Sequence, residues 1–311
     1  MVGLTAGQRT RMVVVLGALT AVGPVATDLY LPAFPDVARD LGVGVEQVQY
    51  TLSASLLGLG VGQLLYGPVS DRYGRRRPIL VGTAVFTLAC LGCALAPNLA
   101  ALTILRFVAS LGGAAGLAIP RAVVRDCFSG VQIARILTAM LMVFSVAPVV
   151  APLLGAAILQ AATWPWLFVA MAGFGVLCFV GASTLPESLP PDRRNSHGLA
   201  DAMRVYARLA RDREYRIASL LVGAGAVVLF AYISSSPGVF MDGYGLSAGA
   251  YGLMFGVVTV FMIGGGQVNI ILLRTRTVQS LLRAYSVVLL GGTVVILLAA
   301  VLGLPMWVLL V

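Results

Sequence analysis

The segment Gly67-Pro68-Val69-Ser70-Asp71-Arg72-Tyr73-Gly74-Arg75-Arg76-Arg77-Pro78-Ile79 decides the fold. On each side lies an apolar run of about 20 residues, the length a helix needs to cross a bilayer. The segment is therefore a short basic connection between two membrane helices. Four arginines within six positions (Arg72, Arg75, Arg76, Arg77) assign it to the cytoplasmic side, where arginine-rich short loops are retained. A topological anchor needs only positive charge. It does not need an acid at Asp71 or glycines at Gly67 and Gly74, so the segment carries more than an address.

Composition agrees with the flanking runs. The chain is 59% hydrophobic and 11% charged, with a mean hydropathy of +0.96. Soluble globular domains carry about 25% charged residues, so that class is excluded. A net charge of +9 would suggest nucleic acid in a soluble protein. Here the arginines gather in alternate loops, which is a topology signal, and no nucleic-acid partner is expected. Cys90, Cys93, Cys127 and Cys178 lie in or beside apolar runs. Cys90 and Cys93 have redox or zinc spacing, but with no histidine nearby they read as small apolar filler. The single histidine, His197, lies in a polar stretch and is given no role. No Ser/His/Asp set, paired carboxylate or metal-ligand cluster falls within the apolar runs. An enzyme, a metal and an organic cofactor are therefore not expected.

Apolar windows predict spans near 12–34, 48–68, 79–97, 99–121, 137–160, 164–185, 217–238, 249–272 and 282–303, with a tenth run opening at Pro305. The first is too long for a signal peptide and holds Asp28 before any small-x-small site, so it reads as a retained span. Arginines collect at the N-terminus (Arg9, Arg11), in the 2–3 and 4–5 connections, between spans 6 and 7, and in the 8–9 loop. The opposite set of loops holds only Arg39. This asymmetry predicts a cytoplasmic N-terminus and a cytoplasmic middle loop. The domain reading is a six-helix half over 1–186, a linker over 187–216 and a partial second half over 217–311. Within the linker, Met203, Tyr206 and Ala210 fall on one helical face and Arg204, Arg208 and Arg211 on another, predicting an amphipathic helix on the inner leaflet. Six spans, a linker and more spans is the layout of two repeats. Because the last run stops in mid-span, a parent of about twelve spans is expected.

The opening segment resembles the loop between helices 2 and 3 of major facilitator superfamily transporters. Further stretches resemble one branch, the Bcr/CflA-type drug-resistance transporters. They are Thr27-Asp28-Leu29-Tyr30-Leu31-Pro32-Ala33-Phe34-Pro35, Arg106-Phe107 followed by Gly112-Gly113-Ala114-Ala115, Arg121-Ala122-Val123-Val124-Arg125-Asp126, and Ala147-Pro148-Val149-Val150-Ala151-Pro152-Leu153-Leu154-Gly155. Ser235-Ser236-Pro237, Tyr244-Gly245-Leu246-Ser247 and Asn269 also stand in family positions. The resemblance implies an all-α membrane protein of the major facilitator fold, a monomer in the bacterial cytoplasmic membrane. It also implies export of small drugs, chloramphenicol-like or bicyclomycin-like, driven by the proton gradient. One departure stands out: the family often has Gln-Gly where this chain has Ala109-Ser110, so a substrate-contacting amide is missing.

Site expectations follow from charge and helix position. Asp28 and Arg106 are the only charges well inside predicted spans, and intramembrane charges usually face a cavity or a partner. Asp28 lies ~9 Å from the outer end of its span and Arg106 ~10 Å from the outer end of its own, at 1.5 Å per residue. Equal depth makes a pair possible. Burial favours the neutral acid and a guanidinium the carboxylate, the balance a proton-exchanging site needs. A static structural pair is the alternative. Pro148, Pro152 and Gly155 suit a bending seam or close packing. Gly67, Asp71, Arg72, Gly74, Arg75 and Arg76, with Asp126, form an expected cytoplasmic latch. Tyr30, Tyr50, Gln63, Phe230, Tyr232 and Asn269 are the expected substrate wall. Two other functions stay open at this level: a metabolite exporter (amino acids or sugars) on the same scaffold, and a non-transporting fragment or membrane sensor.

Overall fold

The structure, a computed structural model, describes residues 6–194, 199–272 and 275–302. His197 and the run from Pro305 lie outside these residues. Among the described residues the secondary structure is entirely helical. Seven helical stretches are long and apolar enough to cross a membrane, and two more, Ala248–Met262 and Gln279–Val295, are apolar but shorter.

The first crossing is broken. Helix α1 (Ala6–Asp28) stops at Asp28, a 3-10 turn covers Leu31–Ala33, and α2 (Phe34–Leu41) resumes. Pro32 and Pro35 explain the break. Each lacks the N–H that would continue the helix, and each sits in the first turn of the next element, where that N–H is not needed. At the end of α2, the Asp40 carboxylate accepts the Trp164 indole N–H at 2.8 Å, tying this crossing to the start of a later one.

Helix α3 (Val45–Tyr73) is 29 residues long and runs straight through Asp71 and Arg72. The connection to α4 (Arg76–Ala94) therefore shrinks to Gly74 and Arg75. The fourth crossing is also interrupted, into α5 (Leu99–Gly113) and α6 (Ala115–Cys127), and Asn98 caps α5 by accepting the Ala101 N–H at 2.9 Å. Helices α7 (Val131–Ala161) and α8 (Pro165–Ser183) complete six crossings. The amphipathic α9 (Leu199–Arg211) follows, then α10 (Arg213–Pro237), capped by Asp212. A π-helical turn over Gly238–Gly243 extends α10, and α11 (Ala248–Leu272) and α12 (Val278–Leu302) follow.

Lipid offers no hydrophobic reward for helix association, so close backbone approach does much of the work. A Cβ on Gly58 would fall 2.3 Å from the Phe107 carbonyl, and one on Gly82 would fall 2.7 Å from that of Gly112. Helices α3, α4 and α5 thus meet backbone to backbone. By contrast, most side chains of α10 are exposed.

Candidate transport site and charged clamp

The segment over residues 67–79 forms a clamp. Arg75, only 8% exposed, donates from Nε to Asp126 Oδ2 at 3.0 Å, and from Nη1 to Ser70 Oγ at 2.7 Å and Asp71 Oδ1 at 2.5 Å. Asp71 sits one turn back on α3 and Asp126 at the end of α6, so one guanidinium joins the two crossings. Ser188 also donates to Asp126, at 3.2 Å. Gly74 makes the turn possible. Its φ of +89° and ψ of 169° lie in a region essentially reserved for glycine.

Glu187, absent from the sequence expectations, completes the clamp. Its Oε1 accepts the backbone N–H of Arg75 at 2.8 Å and of Leu189 at 3.0 Å. Its Oε2 accepts that of Arg76 at 3.2 Å. The N–H groups of Arg75 and Arg76 are ones that the start of α4 leaves without helical partners, and a carboxylate there also suits the helix dipole. Arg76 donates to the Ser183 carbonyl at the end of α8. Arg72 lies against the Tyr73 ring, 5.4 Å from its centroid. From α9, the Tyr206 hydroxyl donates to the Leu64 carbonyl at 3.2 Å and stands beside Gly67. Partial burial, and then the charge of Asp71, push the Tyr206 phenol up, which keeps it a donor.

Within the membrane, α1, α7, α10 and α11, with Leu59 of α3 and Leu117 of α6, line a cavity of about 510 Å³. Asp28, 3% exposed, lies in its wall with Pro148, Phe230, Tyr232, Phe255 and Thr259. Its Oδ1 accepts the Thr27 hydroxyl at 2.8 Å. The Tyr232 and Phe255 rings stack at 6.2 Å. The buried Tyr232 hydroxyl has no hydrogen-bond partner among the described residues.

Direct pairing of Asp28 with Arg106 does not occur among the described residues. Arg106 Nη1 donates instead to the Ala26 carbonyl at 2.5 Å, and its guanidinium lies 4.8 Å from the Tyr30 ring centroid and 5.8 Å from that of Phe168. The reason is the break in the first crossing. Ala26 is in the last turn of α1, where carbonyls have no helical partner and a cation is favoured. Arg106 is 1% exposed, and its Nε and Nη2 have no hydrogen-bond partner among the described residues.

Of the expected substrate wall, the structure brings Phe230 and Tyr232 to the cavity. Tyr30 is buried beneath Arg106, and its hydroxyl accepts from Thr51 at 3.4 Å. Tyr50 and Gln63 lie exposed on α3, and Asn269 Oδ1 accepts the Tyr285 hydroxyl at 2.9 Å. None of these four lines the cavity. Pro152 and Gly155 sit at helix contacts. The Pro152 carbonyl would lie 3.2 Å from a Cβ on Gly252 of α11, and a Cβ on Gly155 would fall 2.2 Å from the Leu29 carbonyl. Phe255 and Thr259 escaped the sequence reading, although Tyr251, Phe255 and Thr259 recur every four residues and so share a helix face.

A bundle of membrane-crossing helices around a central cavity, with charges clamping one end, is the architecture of a polytopic membrane transporter. The family model described as Major Facilitator Superfamily matches residues 16–311, and the chain belongs to that family. It is 38% identical over 264 residues to the uncharacterized MFS-type transporter YdgK of Bacillus subtilis (strain 168), covering 84% of this chain and 66% of that protein. It is 31% identical over 300 residues to the bicyclomycin resistance protein homolog of Haemophilus influenzae, covering 95% and 74%. With the multidrug transporter MdfA of Yersinia pestis it shares 31% over 233 residues, covering 74% and 56%. The chain thus spans between 56% and 74% of the length of these relatives. Among solved structures, the xylose transporter XylE from E. coli in a partially occluded inward-open conformation aligns with a TM-score of 0.70 at 14% identity. That alignment covers 96% of this chain and 82% of the other. The likeness concerns the fold.

Proposed function

We propose that this chain forms the greater part of a proton-coupled exporter of small drugs, working by alternating access across the bacterial cytoplasmic membrane with its N-terminus inside. The observation that carries the reading is Asp28. It is a carboxyl group in the wall of a largely apolar and aromatic cavity, held by Thr27 and not ion-paired with Arg106. A carboxyl so placed exchanges its proton according to what shares the cavity. Water and the nearby guanidinium favour the carboxylate, whereas an apolar drug that displaces water favours the acid. Competition between drug and proton for one cavity is the minimum an antiporter requires. The names of the relatives, a bicyclomycin resistance homolog and a multidrug transporter, support drugs as the substrate class. Phe230, Tyr232 and Phe255 supply stacking surface. The proton gradient is the energy source, and a monomer suffices.

The test is drug-induced proton release in proteoliposomes. Asp28→Asn should still bind chloramphenicol or bicyclomycin and carry it downhill, yet release no protons and build no gradient of drug. Proton release equal to that of the parent would remove Asp28 from the coupling mechanism.

A further inference from the structure

The seam between α1 and α7 carries a second, separate cavity at the ends where both helices begin. Arg9 and Thr10 of α1 and Gln132 and Arg135 of α7 rim a pocket of about 320 Å³. Its floor is apolar, including Val13 and Phe128. Because α1 starts at Ala6 and α7 at Val131, this rim sits where the two helices enter the membrane. Neither guanidinium has a carboxylate partner among the described residues.

Deeper along the same seam runs an apolar groove of about 600 Å³, walled by Ala21 and Val25 of α1, Met142 and Val146 of α7, and Phe174 of α8. The two cavities lie in register. Val14 to Ala21 and Arg135 to Met142 are both seven-residue steps, two turns on one helix face, or ~10 Å at 1.5 Å per residue. Between Val14 and Ala21, an added Cβ on Gly17 would touch Val143 of the groove wall at 3.6 Å.

A cationic rim at the helix starts, two turns along the same seam from a carbon-lined groove, follows the polarity of an anionic phospholipid. We infer that this seam binds one such lipid, with its phosphate diester between Arg9 and Arg135 and an acyl chain in the groove. Basic pockets between membrane helices are suited to anionic headgroups. A free phosphate would use the rim and not the groove, while a zwitterionic lipid would fill the groove without the charge match. The site is independent of transport direction and of proton coupling, since the orientation of the chain decides only which leaflet supplies the lipid.

The experiment is native mass spectrometry of the purified protein in detergent, titrated with phosphatidylglycerol, with phosphatidylcholine of the same chains, and with glycerol phosphate. One phosphatidylglycerol should be retained in preference to phosphatidylcholine. Arg9→Gln and Arg135→Gln should each weaken it about fivefold, the equivalent of about 1 kcal/mol per basic residue at an anionic surface. The pair Arg208→Gln with Arg211→Gln removes the same charge from α9 and should leave binding unchanged. Val146→Trp, at an exposed groove position, should weaken lipid binding with both arginines intact. Equal loss in the α9 pair, or equal retention of phosphatidylcholine, would reduce the effect to general charge or greasiness. Glycerol phosphate binding as tightly as the lipid, or indifference to Val146→Trp, would leave a simple anion site and overturn the lipid assignment.

Discussion

Glu187 is one carboxylate serving three backbone N–H groups, and it makes the Gly74 position doubly intolerant. A Cβ there would strain the backbone and would also fall 2.4 Å from Glu187 Oε2. Gly74→Ala should cost about 1–3 kcal/mol for the backbone region alone, with the collision added. Glu187→Ala should cost about 1 kcal/mol, as for a lost helix cap. In the double variant the collision disappears, so the combined loss should be smaller than the sum. Thermal unfolding in detergent measures all three, and strict additivity would mean that the two residues do not touch. Asp126→Ala should be harsher than Asp71→Ala, because Asp126 is the more buried partner of Arg75 and a buried cation stripped of its partner is costly. Comparing the folded yields of the two variants checks the order. At this scale the sequence was partly legible. Asp71, Arg75 and Asp126 could be read from their types and the helix ends they occupy. Glu187 could not, since nothing local links it to a turn more than a hundred residues away, although an acid just past Pro186 at the end of a span was a usable hint. Aromatic type alone also failed to say which way a ring faces: Phe230 and Tyr232 reach the cavity, whereas Tyr30 supports Arg106.

Helix α7 contains both proline and close-contact devices, and they predict opposite phenotypes. Pro148 and Pro152 remove two backbone donors from the middle of the helix, which softens it where it borders the cavity and α11. Gly155 is where α7 meets the broken end of the first crossing. Gly155→Leu should therefore lower the folded, monodisperse fraction on size-exclusion chromatography. Pro152→Ala should leave that fraction intact while slowing drug exchange in proteoliposomes. A Pro152→Ala protein that exchanges at the parental rate would reduce the proline to packing. Element boundaries were the least legible part of the fold. Hydropathy reports how long an apolar run is, and it is blind to the break at Asp28, to the interruption at Ala114 and to the π-helical turn after Pro237. It also ended the second span near residue 68, because charges at Asp71 and Arg72 look like a loop even when they occupy the last turn of a helix.

For the whole molecule, the arginine asymmetry yields a direct test of orientation. With the native cysteines replaced, a cysteine at Ser247 should react with an impermeant thiol reagent added to intact cells, and one at Ser196 should be protected until the cells are opened. The reverse pattern would invert every span. The order of crossings was legible because each needs its own apolar run, but the way they assemble was not. That depends on glycine contacts such as Gly58 with Phe107, which no periodicity announces. The clamp at the turn between α3 and α4 has a consequence in time. Asp126 lies 51 residues beyond Arg75, and Glu187 lies 112 beyond it. At a synthesis rate of about 5–20 residues per second, the turn waits roughly 6–22 s for its last fastener. During that interval the α3–α4 hairpin is in the membrane with the N–H groups of Arg75 and Arg76 held only by water. A chain arrested before residue 187 is therefore expected to yield this turn to added protease faster than the finished protein does.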